Sequence, residues 1–281
     1  MQKENVVSAR LIDVEGNRLV YLGARATPEL WDSLWSMDKE TVQKSIAASR
    51  DGGQLVALTK RYCKPADGII LEGGCGRGHY VAALHRAGYK CVGIDFAPMA
   101  VNALNEHAPE LDIRLGDLRA LPFSDASVAG YWSLGVIEHF WDGYHPLASE
   151  MSRVIKDGGY LFCAFPYMSP LRKIKAWLGC YPISRFKSEP ADFYQFALSE
   201  KTVIETMAQF GFIFQKSWSS AGLKAIQGEC GYLSTIFERL YSYEGQSLFL
   251  RSLRRMIDFG LVHVGTSHSV LCVFRRCQRE I

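Results

Sequence analysis

Short apolar runs alternate with stretches of helical periodicity through the middle of the chain. Runs near 68–72, 90–94, 112–115, 128–133 and 159–165 read as strands, and segments near 78–87, 98–107 and 144–155 read as helices. Strands alternating with helices at this spacing predict a parallel sheet of the doubly wound α/β class. Ile69, Ile70 and Leu71 show no polar alternation, as expected of a strand covered on both faces. Gly158 and Gly159 mark the turn into the fifth strand, and Pro166 ends it.

The flanks follow other patterns. Residues 10–22 predict a small hairpin around Glu15, Gly16 and Asn17, and Thr27 and Pro28 suit the cap and first residue of a helix. Further helices near 38–48 and 53–62 lead into the core. Beyond Pro166, residues 167–198 form an aromatic and basic segment too long for a connector. A helix near 199–210 and a strand at 212–218 follow, and the last strand is expected at 268–275. Residues 220–266 make a second insertion, with helical patterns near 232–243 and 246–259. The expected organisation is an N-terminal hairpin with helices over 1–62, then one domain over 63–281 in which insertions 167–198 and 220–266 cap the substrate side.

The chain has 281 residues, nearly half of them hydrophobic, enough for one large core. There is no run of about 18 apolar residues to span a membrane, and the polar N-terminus lacks a signal-peptide core, so a cytoplasmic protein is expected. The eight cysteines are scattered without a CxxC pair, which suggests reduced thiols and no metal site. A net charge of +3 gives no reason to expect nucleic acid. Its distribution is uneven, however: residues 171–281 hold 15 Lys and Arg against 9 Asp and Glu. That basic half suits an anionic substrate or surface, or simply a solvated face. The segment 247–261 interleaves apolar residues with arginines, as a lid helix or a membrane-docking helix would. Trp31 and Trp35, at helical spacing, are expected mainly to pack.

The most informative stretch is IILEGGCGRG, residues 69–78, where an apolar strand ends in Glu72 and a burst of glycines. Open α/β sheets bind ligands at the carboxyl ends of their strands. A carboxylate there repels a pyrophosphate but attracts an ammonium, by roughly 4 kcal/mol in contact at an effective dielectric near 20, before desolvation. A dinucleotide fingerprint counted from Gly74 needs glycine at position 79, where the chain has His79. The next strand, KCVGID, also ends in a carboxylate, Asp95, placed where nucleotide-binding folds bind ribose hydroxyls.

LEGGCGRG, GIDFAP, GDLRALPFSDASVAGYWSLGVIEHF and RVIKDGGYLFCAFP, in that order, resemble the class I S-adenosylmethionine-dependent methyltransferases, in particular the broad bacterial small-molecule type. The resemblance covers residues 68–166. It implies a Rossmann-like, mostly parallel seven-stranded sheet whose last strand enters antiparallel. It also implies that Glu72 holds the methionine ammonium, Gly74 and Gly76 give backbone access, and Asp95 accepts from the ribose. Phe96 would cover the adenine, Asp117 would accept from its amine, the Leu118 backbone would meet a ring nitrogen, and the Ser133 carbonyl would meet the methionine group. Where the family often has an acidic residue inside the fourth strand, this chain has Val128 and Ala129, a packing change.

Attack on a sulfonium methyl is an in-line displacement, and alignment alone can supply roughly 7–11 kcal/mol. A hydroxyl or protonated amine must also lose a proton, and SLGVIEHFWDGYH places Glu138, His139 and His145 just after the fourth strand, beside the expected methyl. His139 is either that base or an imidazole that positions its surroundings. Tyr167, Tyr194 and Phe196 are candidates for an acceptor wall. The expected function is methyl transfer from S-adenosylmethionine to an oxygen or nitrogen of a small molecule. Three other readings stay open: a lipid or quinone methyltransferase at a membrane surface, a non-catalytic cofactor-binding protein, and a nicotinamide oxidoreductase, which Glu72 and His79 disfavour. The oligomeric state is not legible.

Overall fold

The computed structural model describes residues 7–34, 38–48, 53–229 and 247–277. Trp35 and the helical pattern near 232–243 lie outside the described residues. The central strands are β3 (Ile69–Gly73), β4 (Cys91–Asp95), β5 (Asp112–Leu115), β6 (Val128–Leu134), β7 (Ile155–Pro166), β9 (Phe212–Ser220) and β10 (Ser269–Arg276). They form one seven-stranded sheet in the order β5-β4-β3-β6-β7-β10-β9. From β5 through β7 every pairing is parallel, and β10 runs antiparallel to both β7 and β9. The chain leaves β3 for β4 on one side and returns to β6 on the other. The carboxyl ends of β3, β4 and β6 therefore open a crevice where the winding reverses.

Successive side chains of a strand point to opposite faces, and both faces of this sheet are covered. Leu71, Tyr131, Leu161 and Cys163 enter a core on one face with Leu147 and Met151 of α6 (His145–Val154) and Val203 and Met207 of α8 (Glu200–Gln209). Ile70, Trp132 and Phe162 enter the other core. There they meet Val81 and Leu84 of α4 (His79–Arg86), Val101 and Leu104 of α5 (Pro98–His107), and Leu55 and Val56 of α3 (Gly53–Tyr62). Trp132 stacks on Phe162 at 4.3 Å between ring centroids, and its indole N–H donates to Thr59 Oγ1 at 3.0 Å. Two apolar faces explain why the strand sequences read as unbroken hydrophobic runs.

Two departures from the expected elements have local causes. β7 begins at Ile155, directly after α6, so Gly158 and Gly159 sit inside the strand. The register jumps there from Val128↔Ile155 to Gly130↔Tyr160, and Gly158 takes φ of 74°, so the pair forms a bulge rather than the turn before the strand. The first insertion also contains a strand, β8 (Phe193–Ala197). It pairs antiparallel with β2 (Arg18–Gly23), which pairs with β1 (Val7–Asp13). The N-terminal hairpin and the insertion thus share a three-stranded sheet over the carboxyl end of the main sheet.

A buried ion cluster ties this small sheet to α7 (Pro170–Trp177) and α9 (Gly222–Glu229). Glu229 accepts from Arg172 Nε at 3.0 Å, Lys175 Nζ at 2.8 Å and the Tyr181 hydroxyl at 2.6 Å, with Arg10 3.4 Å away. Arg172 also donates to the carbonyls of Tyr167 and His268. Burial raises the Glu229 pKa, but Arg172, Lys175, Tyr181 and Arg10 outweigh it and hold the carboxyl at about 2, below its ordinary 4.5. A depressed carboxylate stabilises the fold above its unfolded pKa, and that contribution is lost as pH falls from 4.5 toward 2. Glu229→Ala strands the buried Arg172 and should cost about 3–5 kcal/mol in urea unfolding at pH 7. Glu229→Gln should remove the acid-dependent part of the stability curve.

Candidate active site

The crevice opens into a cleft of about 1600 Å³. Its lining includes Glu72, Gly74, Gly76, Asp95, Phe96, Asp117, Leu118, Glu138, His139 and Tyr194, so ten of the thirteen expected site residues meet in one space. Glu72, at the end of β3, is buried, and its Oε2 has no hydrogen-bond partner. Burial, and secondarily the nearby Asp95, push the Glu72 carboxyl well above the usual range. A buried carboxylate oxygen without a donor, opening on a cleft, fits a cationic ligand group.

The glycine turn carries the chain from β3 into α4. Gly74 takes φ of 76°, and a Cβ there would lie 2.6 Å from Val136 Cγ2, so only glycine lets the loop lie against the wall opposite. Asp95 ends β4 and accepts from Gly76 N–H at 2.7 Å and Ala97 N–H at 3.0 Å. One carboxylate thus ties the glycine loop to the turn after β4, with lone pairs left for ligand hydroxyls. Phe96, 43% exposed, presents a ring to the same space. Asp117 is held by Arg119, whose Nη2 lies 2.7 Å from its Oδ2, and Leu118 is partly buried between them. The Arg119 hydrogen bonds keep the Asp117 carboxyl below its usual pKa, so it remains an ionised acceptor.

The opposite half of the cleft is aromatic and acid–base in character. A 3-10 turn over Ile137–His139 follows β6. Burial pushes Glu138 up to about 8, with Lys224 pulling the other way, and its Oε2 has no hydrogen-bond partner. Burial lowers His139 to about 4, so the imidazole is neutral at physiological pH. His139 Nδ1 lies 2.7 Å from the Tyr194 carbonyl, which can only accept, so Nδ1 carries the proton and Nε2 is the basic nitrogen. Trp31, from α1 (Pro28–Leu34), meets the His139 ring edge-on at 5.4 Å, and Tyr194 meets it at 5.2 Å.

Three expected residues lie elsewhere. Ser133 is fully buried in the ladder, paired with Gly73 and Cys163, because β6 runs one residue further than expected; Leu134 and Gly135 reach the cleft instead. Tyr167 is buried, with its hydroxyl 3.0 Å from Ser219 Oγ. Phe196 packs into the core against Phe193 at 4.6 Å, under the Arg18 guanidinium. Alternation would put Tyr194 and Phe196 on one face, but the β2–β8 register slips between Tyr21↔Gln195 and Leu22↔Phe193. Tyr194 is the extra residue of that bulge, which aims it into the cleft while Phe196 stays in the core.

Arg119, Lys224, His268, Arg10 and Tyr21 also line the cleft without a local sequence signal, and Trp31, expected mainly to pack, joins them. Arg10 and Tyr21 belong to the N-terminal hairpin, and only its pairing with β8 brings them there.

A reversal of winding with a carboxylate at two adjacent strand ends suits a nucleoside ligand bearing a cationic group. Residues 71–163 match the family model described as a methyltransferase domain. A "Probable S-adenosylmethionine-dependent methyltransferase" of Mycolicibacterium smegmatis is 35% identical over 97 residues, 34% of this chain and 37% of that protein. Another from Mycobacterium tuberculosis is 30% identical over 149 residues, 53% of this chain and 48% of that protein. The chain thus spans less than half the length of these curated relatives. Among solved structures, the "Complex between the Haloferax volcanii Trm112 methyltransferase activator and the putative methyltransferase" gives a TM-score of 0.57 at 18% identity, covering 91% of this chain and 100% of that one, a likeness of fold. Residues 71–163 thus carry a methyltransferase domain similar to those of S-adenosylmethionine-dependent relatives, and the group to test against the cleft is S-adenosylmethionine. The donor set fits that group: the unpartnered Glu72 oxygen suits its ammonium and Asp95 its ribose.

Proposed function

We propose that the protein transfers a methyl group from S-adenosylmethionine to an oxygen or nitrogen of a small molecule. The observation that carries this reading is His139: a neutral imidazole, its Nδ1–H committed to the Tyr194 carbonyl, in the same cleft as Glu72 and Asp95. A sulfonium cofactor supplies an activated methyl group. Glu72 and Asp95 orient it, Trp31 and Tyr194 exclude water from the acceptor side, and His139 Nε2 takes the proton that a hydroxyl or ammonium loses. Residues 167–198 and the second insertion, 220–266, whose described helices are Gly222–Glu229 and Leu248–His263, act as the cap. The acceptor class is found by incubating the protein and labelled cofactor with a cell extract, then separating small molecules, lipids and macromolecules. Label in the small-molecule fraction supports the reading; label confined to macromolecules overturns it.

One observation favours action at a membrane surface instead. Trp177 is 84% exposed at the end of α7, with Leu178 and Ile183 also exposed. No helix among the described residues is long and apolar enough to cross a membrane, so such contact would be peripheral. Flotation with anionic liposomes at low and high salt decides it: protein that stays at the bottom in both removes this reading.

A further inference from the structure

We propose that the end of the cleft bounded by the N-terminal hairpin is an oxyanion subsite formed by Tyr21, Arg10 and Lys224, so that the methyl acceptor carries a phosphate or carboxylate group. This rests on the methyl-transfer reading and names its substrate class.

Tyr21 carries the inference furthest. It lines the cleft, is 1% exposed, and its hydroxyl has no hydrogen-bond partner. A buried phenol normally donates to something, and an orphaned hydroxyl is an unmet cost unless a ligand atom meets it. The surroundings determine what kind of atom that is. The Arg10 guanidinium lies 5.2 Å from the Tyr21 ring centroid and that of Arg172 lies 5.9 Å from it. Arg10, Arg172 and Lys175 converge on the single carboxylate Glu229, which leaves this cluster with surplus positive charge. Arg10 is also bonded to the Gly228 carbonyl, so its guanidinium is held in place at the cleft wall. Lys224, exposed on α9, lines the same wall with Gln227 and His268.

The positive potential is visible on neighbouring groups. After burial, the fields of Lys224, Arg172 and Arg10 push the His268 imidazole well below its usual pKa. His268 is therefore neutral, and because its Nδ1 accepts from Arg172 Nη2 its Nε2–H can donate. Lys224 also acts on Glu138, so this end of the cleft adjoins the proposed proton acceptor. An acceptor anchored by its anion here would extend toward His139. Fixed donors and cations at a wall of low dielectric favour an oxyanion over a neutral or cationic group.

The test uses the full chain, with inorganic phosphate and acetate as probes. S-adenosylhomocysteine is titrated first, and then each anion is titrated into the saturated protein by calorimetry. Wild-type protein should bind at least one anion. Tyr21→Phe and Lys224→Gln should each weaken that binding by about tenfold, the loss of one hydrogen bond to a charged group. S-adenosylhomocysteine affinity should be unchanged in both. Tyr21→Phe removes a hydroxyl that has no protein partner, so its melting temperature should equal or exceed that of wild type. Wild-type protein that binds the nucleoside but neither anion overturns the subsite alone, as does anion binding that both variants retain. Failure to bind the nucleoside would instead overturn the methyl-transfer reading. Phosphate without acetate selects a phosphorylated acceptor, and the reverse selects a carboxylic acid.

Discussion

Glu72→Gln should make the cofactor-free protein more heat-stable while weakening S-adenosylmethionine binding by roughly 10- to 100-fold. The two effects have opposite signs because one carboxyl is unfavourable in the empty cleft and favourable in the filled one. In the empty protein Glu72 is buried, one oxygen lacks a donor, and Asp95 adds like charge. Its pKa is therefore raised. A raised carboxyl contributes its stability below the unfolded value of 4.5, and that contribution is lost as pH rises toward the folded pKa. The stability of the empty wild type should accordingly fall across that window, and the Glu72→Gln variant should lack the fall.

Binding reverses the balance. An ammonium against Glu72 stabilises the ionised form, so the carboxyl gives up its proton as the cofactor enters. Affinity should strengthen with rising pH, and calorimetry in two buffers of different ionisation enthalpy should register proton release. The Glu72→Gln variant should show less release. A variant that melts lower than wild type and binds the cofactor equally well would remove Glu72 from the site.

How far the sequence exposed this site follows from how local each part is. Glu72, the glycines and Asp95 could be read directly, because strand, turn and helix are consecutive and the ligand meets them at strand ends. Three kinds of information were not local. Ser133 was misplaced because β6 runs to Leu134, and strand ends depend on the neighbouring ladder rather than on the strand's own pattern. Phe196 was misplaced because a bulge breaks the alternation on which the expectation rested. The β8 strand does not stand out within residues 167–198 because its partner lies about 170 residues away in β2, and nothing within 193–197 reveals that pairing. Arg10 and Tyr21 reach the cleft through the same long-range sheet, and Trp31 reaches it from α1. In each case the missing piece is a contact between distant segments, whereas the cofactor turn is one continuous piece of chain.

His139→Asn should lower turnover by about 10²- to 10⁴-fold, with cofactor affinity close to that of wild type. Asparagine can place an amide N–H near the position of Nδ1 and keep the bond to the Tyr194 carbonyl, but it has nothing at the position of Nε2. The substitution therefore separates the two roles that the imidazole can play. If His139 only holds β8 against the turn after β6, the asparagine variant keeps that contact and most of its turnover. If Nε2 takes the proton, turnover falls although the contact survives. The pH profile gives an independent check. Burial keeps the imidazole neutral down to about 4, so wild-type turnover should not fall as pH drops through 6.5, the ordinary histidine value. A decline centred near 6.5 would mean that the ring is solvated and titrates normally. Stability carries the same signature: a lowered histidine pKa stabilises the fold above 6.5, and that contribution is lost as pH falls toward 4. His139→Asn should flatten that part of the stability curve, whatever the acceptor proves to be.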